Sequence, residues 1–293
     1  MQSVSIIGIG RLGGALALAL SRADYRVENL VYRSQPPADI ADRIKPPTNL
    51  IAFEDLQALS SDIVFITSAD PEISIISSQI VAIIKKNTFV FHASGSLSSE
   101  SLSDLANAGC LTGSMHPLVS ISDPIRGSER FAGAFFCIEG QDQAVEAANK
   151  ITDSLGGEAF SIDTRFKSLY HASAVTASGH VIALMDAAVE MLSKCGVEAA
   201  DAKRILMPLI KSTVENMEIQ SNEKALTGTF ARADLLAFER HVAALSKNVS
   251  SDVLRLYLEL GDRSLDLAER QGQPSEAVTR IRNGIKLAQA TCK

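Results

Sequence analysis

Several features that would direct the reading elsewhere are missing from this chain. It has no basic excess: 28 Lys and Arg stand against 34 Asp and Glu, a net charge of -6, which argues against nucleic acid as a partner. Its four cysteines, Cys110, Cys137, Cys195 and Cys292, include no C-x-x-C pair. Neither a zinc site nor a redox dithiol is suggested, no metal is expected, and reduced thiols in a cytosolic protein are the simplest reading. No run is read as reaching the roughly 18 apolar residues of a membrane span, so no membrane partner is expected. Residues 15–20 could mimic the apolar part of a secretion signal, but the glycine-rich stretch before them lacks the basic start such a signal needs. The expected compartment is the cytoplasm. Neither internal repeats nor low-complexity tracts are visible. What is left is a chain of 293 residues, 46% hydrophobic, long enough for two domains.

The opening stretch organises the rest. Val4, Ile6, Ile7 and Ile9 make a short apolar run of buried-strand length. Gly8-x-Gly10-x-x-Gly13 follows at once, and residues 15–20 (ALALAL) then place a strong helix former at nearly every position. Strand, glycine turn and helix form the context in which this pattern signifies dinucleotide binding. The first glycine makes the tight turn, the second admits a pyrophosphate, and the third lets helix and strand pack closely. The helix start offers free N–H groups and a partial positive charge to the phosphates. Gly8, Gly10, Arg11, Leu12 and Gly13 are candidate cofactor contacts.

Residues 26–32 (RVENLVY) read as the second strand. An acidic side chain about 20 residues past the glycines would bind the ribose 2′-hydroxyl of NAD. Arg33 and Ser34 stand there instead. A guanidinium pairs with phosphate in a bidentate way and a hydroxyl can donate to it, so NADP is the expected cofactor, with Arg11 a second cation for the same phosphate. Pro36-Pro37 and Pro46-Pro47 bracket a helical turn or two. Strands are expected over 49–53 and 62–67, with a brief helix over 55–59 between them. Ser68 follows the second of these strands, where a doubly wound sheet opens its ligand crevice, and is a further cofactor contact. Asp70 is expected to cap the next helix, with Pro71 at its first position. Strands over 88–92 and 110–115 run into His92-Ala93-Ser94-Gly95-Ser96 and His116-Pro117. Two histidines therefore lie near small polar groups beside the expected nicotinamide crevice. Strands over 134–138 and 158–162 flank a helix over 142–155 and close the first domain.

Beyond residue 162 strand-like runs vanish and helical periodicity takes over. The expected organisation is a doubly wound α/β sheet over 1–162 followed by an all-α domain over 163–293. One long helix is expected over 165–195, capped by Gly196 and unusually small in its middle at Ala172, Ser173, Ala174, Ala177, Ser178 and Gly179. Further helices are expected over 198–218, 231–247, 251–271 and 275–290, with Thr227-Gly228-Thr229 and Arg232-Ala233-Asp234 interrupting them. Lys167 and His171, four apart, share one helix face. A carbonyl that accepts a hydride develops negative charge on oxygen, which an ammonium or imidazolium can stabilise and protonate. A surface lysine beside a packing histidine is the plainer alternative.

Gly8-Ile9-Gly10-Arg11-Leu12-Gly13, His92-Ala93-Ser94-Gly95-Ser96, His116-Pro117-Leu118, Lys167-Ser168-Leu169-Tyr170-His171-Ala172, Asn216, and Ala225-Leu226-Thr227-Gly228 with Arg232 and Asp234 carry a resemblance across nearly the full length. The chain resembles bacterial Rossmann-like proteins with a helical C-terminal domain of long-unassigned function. These are relatives of the 6-phosphogluconate, 3-hydroxyisobutyrate and pyrroline-carboxylate reductase superfamily. The resemblance implies NADP binding and a homodimer joined through the helical domains, and some proteins of the group look like an alternative type of ketopantoate reductase. In the wider superfamily a Ser-Gly-x turn binds substrate, and a Lys-x-x-x-Asn helix supplies the catalytic lysine and its partner. Ser94-Gly95-Ser96 and Lys167-x-x-x-His171 match these, with histidine in place of asparagine. The group usually has asparagine where Gly179 stands, proline where Thr229 stands and glycine where Ala233 stands. Loss of that asparagine removes a polar contact from the expected cleft.

The expected function is NADPH-dependent reduction of a small 2-oxo acid. Lys167 would be the proton donor and His171 its orienting partner, with Ser94, Gly95, Ser96 and His116 around the substrate. An imine reductase resembling pyrroline-carboxylate reductase, and a non-catalytic NADP-binding sensor, are the alternatives.

Overall fold

The computed structural model describes residues 1–291, so Cys292 lies outside the described residues. β1 (Ser3–Ile7) leads through the glycine turn into α1 (Arg11–Arg22). The leucines of 15–20 fill the space between helix and sheet while the alanines let the backbones approach, and the whole run is buried. β2 (Arg26–Tyr32), α2 (Ala38–Ala41), β3 (Asn49–Ala52), β4 (Ile63–Ile66), α3 (Asp70–Ile80), β5 (Phe89–His92), α4 (Ser103–Asn107) and β6 (Leu111–Pro117) follow. After them come α5 (Pro124–Gly127), β7 (Phe135–Gly140), α6 (Asp142–Ser154) and β8 (Glu158–Phe160). The sheet order is β3-β2-β1-β4-β5-β6-β7-β8. All neighbours are parallel except β6 and β7. Both faces are covered, one by α1 and α6 around Leu16, Leu20, Phe65 and Phe136, the other by α3 and α4 around Ile73, Ile80 and Leu105. This explains why β4 (IVFI) is apolar at every position rather than alternating.

The doubly wound fold is the expected one, with local departures. Residues 53–55 form a short 3-10 turn where a helix over 55–59 was expected. Leu59 instead bridges Ile84, its N–H donating to Ile83 O at 2.8 Å, which extends the chain so that Leu56 and Leu59 enter the core. Asp70 does not cap α3: Ala69 stands at the cap position without a side-chain bond. The Asp70 carboxylate accepts from Ser96 Oγ instead, at 2.5 Å.

The chain divides into two compact units, Met1–Ser178 and Gly179–Lys293. The last strand ends close to residue 162, but α7 (Lys167–Ala177) remains with the sheet because Lys167 and Tyr170 bond to β6. The single long helix expected over 165–195 is two, since Ser178 leaves helical geometry (φ -124°, ψ -73°) and α8 (Gly179–Ser193) begins after it. Thr176 and Ser178 turn their hydroxyls back onto Ala172 O and Ala174 O. Such back-bonding bends helices, and Gly179 is a weak helix former.

The second unit continues with α9 (Ala199–Ile219), α10 (Asn222–Ala225), α11 (Gly228–Ala231), α12 (Leu235–Asn248), α13 (Ser251–Arg270) and α14 (Ser275–Thr291). Its core gathers Phe238, Leu254, Leu258, Leu265, Ile281 and Ile285. Asp234 caps α12 by accepting from Ala237 N at 3.0 Å. By length and composition the run Thr164–Ser193 is apolar enough to cross a membrane, which the sequence reading had not expected.

Candidate functional site

The parallel order brings the carboxyl ends of β2, β1, β4, β5 and β6 into one row, and β1 is the switch point where the order reverses. The loops after these strands build two cavities within the first unit.

The first cavity, of about 480 Å³, is lined by Gly8, Gly10, Arg33, Ser34, Phe53, Ser68 and Glu72 among others. Gly8 has φ +95°, and a Cβ there would lie 2.8 Å from Ser68 N. A Cβ on Gly13 would strike Gly8 O and Thr67 Oγ1, whereas Gly10 faces open space. The turn is thus tight beneath and bare above, a cradle for a pyrophosphate on the uncapped start of α1. Thr67 holds it from below: its hydroxyl donates to Gly8 O at 2.6 Å. Ser68 Oγ is buried with no partner, so a ligand hydroxyl or phosphate has an acceptor or donor waiting. Arg33 and Ser34 do share the cavity with the turn. Arg33 is already engaged, Nη1 donating to Glu72 Oε1 at 2.7 Å and Cζ lying 4.9 Å from the Phe53 ring centroid. These features fit a dinucleotide. Arg11, exposed at the first position of α1, and Leu12, half-buried behind it, do not line this cavity with Arg33; Gly13 acts through packing alone.

The second cavity, about 380 Å³, is lined by His116, Leu118, Ser120, His171, Val175 and neighbouring residues. His116 Nδ1 lies 2.6 Å from Tyr170 OH, and its ring meets that of His171 edge-on at 5.7 Å. Gly95 fits against both rings: a Cβ there would come within 2.8 Å of His116 Nε2 and clash with His171 Nδ1. His171 Nδ1 is buried with no hydrogen-bond partner. Burial, then the neighbouring His171 and Lys167, lower the His116 pKa to about 4, so the ring is neutral at neutral pH. Burial likewise lifts the Tyr170 phenol well above its ordinary value, helped by the Cys137 thiol.

Lys167 departs from its expected place. Its side chain is 2% exposed, and Nζ donates to Ser114 Oγ at 2.5 Å and to Glu139 Oε1 at 3.3 Å. Glu139 also accepts from Ser99 N and Ser99 Oγ. The ammonium closes a buried network and does not line the second cavity, and His171 does not bond to it. Ser94 departs too. Its hydroxyl accepts from Ser96 N and Leu97 N, closing the turn on itself. His92 is fully buried; Nδ1 accepts from Ser94 N and Nε2 lies 3.0 Å from Ser98 O, which fixes the same turn. Burial lowers its pKa to about 4.

Residues 1–117 match the family described as a Rossmann-like domain, and residues 134–264 match a domain of unknown function, DUF2520. The chain joins a Rossmann-like domain to a DUF2520 domain. This agrees with the group named from the sequence. The DUF2520 match begins inside the sheet, at β7, so Glu139, Lys167, Tyr170 and His171 all fall within it while His116 closes the Rossmann-like part. No curated protein matches the chain. Among solved structures, a Bacteroides fragilis protein provisionally named an NADP oxidoreductase is 19% identical with a TM-score of 0.73, covering 90% of this chain and 98% of that one. A Thermotoga maritima protein is 22% identical with a TM-score of 0.71, covering 92% and 100%. Plasmodium falciparum pyrroline carboxylate reductase, solved with NADP bound, is 12% identical with a TM-score of 0.58, covering 100% and 98%. These likenesses establish the fold.

Sequence reasoning missed Thr67, Glu72, Glu139 and Tyr170. Thr67 and Tyr170 each adjoin a residue that was singled out. Glu72 and Glu139 carry no local signature, because their partners arrive from other strands and loops.

Proposed function

We propose that the chain is an NADPH-dependent reductase of a small 2-oxo acid, working as a homodimer. The observation that carries this reading is the convergence of the Gly8–Gly10 turn, the unpartnered Ser68 hydroxyl and Arg33 on one cavity at the switch point, in the same row of strand ends as His116. Gly8, Gly10 and the start of α1 would hold the pyrophosphate, Ser68 a polar group beside it, and Arg33 with Ser34 the 2′-phosphate. NADPH, when bound, would supply a hydride. The proton is assigned to His116 rather than to Lys167. Tyr170 donating to Nδ1 leaves a proton on Nε2, and a neutral imidazole is a competent donor to a carbonyl oxygen gaining charge. As Nε2 releases that proton, the Tyr170 hydroxyl stays bonded to Nδ1 and holds the ring, which then takes a proton back from water. His171 packs Nδ1 against Gly95 but lines the same cavity, so its ring can face the substrate's second polar group, which in a 2-oxo acid is the carboxylate. Lys167 is a positioning residue that holds α7 to β6 and β7.

The dimer reading rests on α8 and α9, where Ile182, Leu209 and Ile219 are 68%, 64% and 79% exposed. Apolar surface on this scale marks a contact site. Lys167, in the same apolar run, is held by Ser114 and Glu139, which favours a second copy over a bilayer.

Purified protein, NADPH and a panel of 2-oxo acids and cyclic imines, followed by nicotinamide absorbance, tests the reading. Oxo-acid turnover that falls in His116→Asn and Tyr170→Phe while NADPH still binds is the expected result. Turnover of imines alone would select the imine reductase, the activity named for the Plasmodium protein. Tight NADPH binding with no turnover of any compound would leave the sensor.

A further inference from the structure

A carboxylate occupies the corner of the cavity that would receive the added phosphate of NADP. Glu72 lies in the first turn of α3 and lines the cavity with Arg33, Ser34 and Phe53. It accepts from Arg33 Nη1 at 2.7 Å, and the two side chains are 40% and 42% exposed, so both are open to a ligand. The Phe53 ring supports the guanidinium plane from one side. Of the donors in the guanidinium fork, Glu72 uses Nη1 and leaves Nε and Nη2 free for a second acceptor.

Two effects follow from elementary electrostatics. A phosphate drawn to Arg33 comes close to the negative charge of Glu72, in a concave site where repulsion is screened less than in open water. A ribose without that phosphate meets in Glu72 a strong acceptor for its hydroxyls. An acidic residue at the end of the second strand has that role in NAD sites, and in this chain Arg33 stands at that strand end.

We propose that Glu72 is a specificity-determining residue that loosens the hold on the phosphorylated ribose and gives the unphosphorylated one a partner, so that the protein accepts NADH alongside NADPH. The proposal rests on reading this cavity as the dinucleotide site.

Calorimetric titration of the full chain with NADPH and with NADH, for the parent, Glu72→Gln and Arg33→Ala, tests it without any need for turnover. Glu72→Gln, which keeps shape and removes charge, is expected to bind NADPH about tenfold tighter and NADH several-fold weaker. The gain for NADPH should shrink as salt is raised, which a purely structural effect would not do. Arg33→Ala should bring the two affinities together. A parent that binds NADPH, with Glu72→Gln leaving the ratio of the two affinities unchanged, overturns the role of Glu72 and spares the cavity reading. A parent that binds neither nucleotide overturns both.

Discussion

The two units finish burying their apolar residues to different degrees. In the sheet unit Val4, Ile6, Leu20, Leu30, Val64, Phe91 and Phe136 are all 0% exposed, and helices cover both faces. In the helical unit α12, α13 and α14 enclose a core around Phe238 and Leu258, while α8 and α9 present Ile182, Ile205 and Leu209 to water. A closed core completes a fold within one chain, whereas an open apolar face leaves area still in contact with water. The polar groups that line the two cavities described above all belong to the closed unit.

The strongest way to break this comparison is to open the closed unit. Lys167→Ala would leave the buried Glu139 carboxyl without its ion-pair partner, and the sheet unit should lose about 3–5 kcal/mol of stability, measured by urea unfolding. If Lys167 served only as a proton donor, stability would stay near the parent's and turnover alone would fall. The open face is tested by Ile205→Asp with Leu209→Asp. Two charges placed in a dimer contact should weaken self-association about a thousandfold, halving the mass seen in sedimentation, with NADPH binding retained. A parent that sediments as a monomer would remove the contrast.

Acid sharpens the comparison further. His92 and His116 have folded pKa values of about 4, below the ordinary 6.5, because burial disfavours the charged rings. The unfolded chain therefore binds protons first. Their contribution is complete above pH 6.5 and is lost as pH falls towards 4, on the order of 3 kcal/mol for His92. Urea unfolding between pH 7 and pH 4 should show that slope in the parent and a shallower one in His92→Gln. Smallest is the chemical effect: His116→Asn should lower turnover about a hundredfold with NADPH affinity unchanged.

Much of the fold was legible because it is written locally. Strand, glycine turn and helix declare themselves in residues 3–22, and the helices of the second unit follow their periodicity to within a few residues at most ends. The break at Ser178 was less visible, since the same small residues also suit an unbroken helix. At the site, single strand ends could be read, but their neighbours could not. Ser68 and His116 could be placed at strand ends from position, and each lines a cavity, whereas the Lys167–Glu139 pair joins residues 28 apart, one on α7 and one on β7. A lysine bound for the interior carries the same local pattern as one bound for substrate. Likewise Arg33 was legible as a cation at the second strand's end, but Glu72, 39 residues later, was not.

The bond from Thr67 to Gly8 O has a bearing on speed as well as shape. A loop clamped by its neighbour before any nucleotide arrives has little freedom left to surrender on docking. Thr67→Val should therefore slow association and weaken NADPH without altering which ribose is preferred, separating how readily the cradle is found from what it selects.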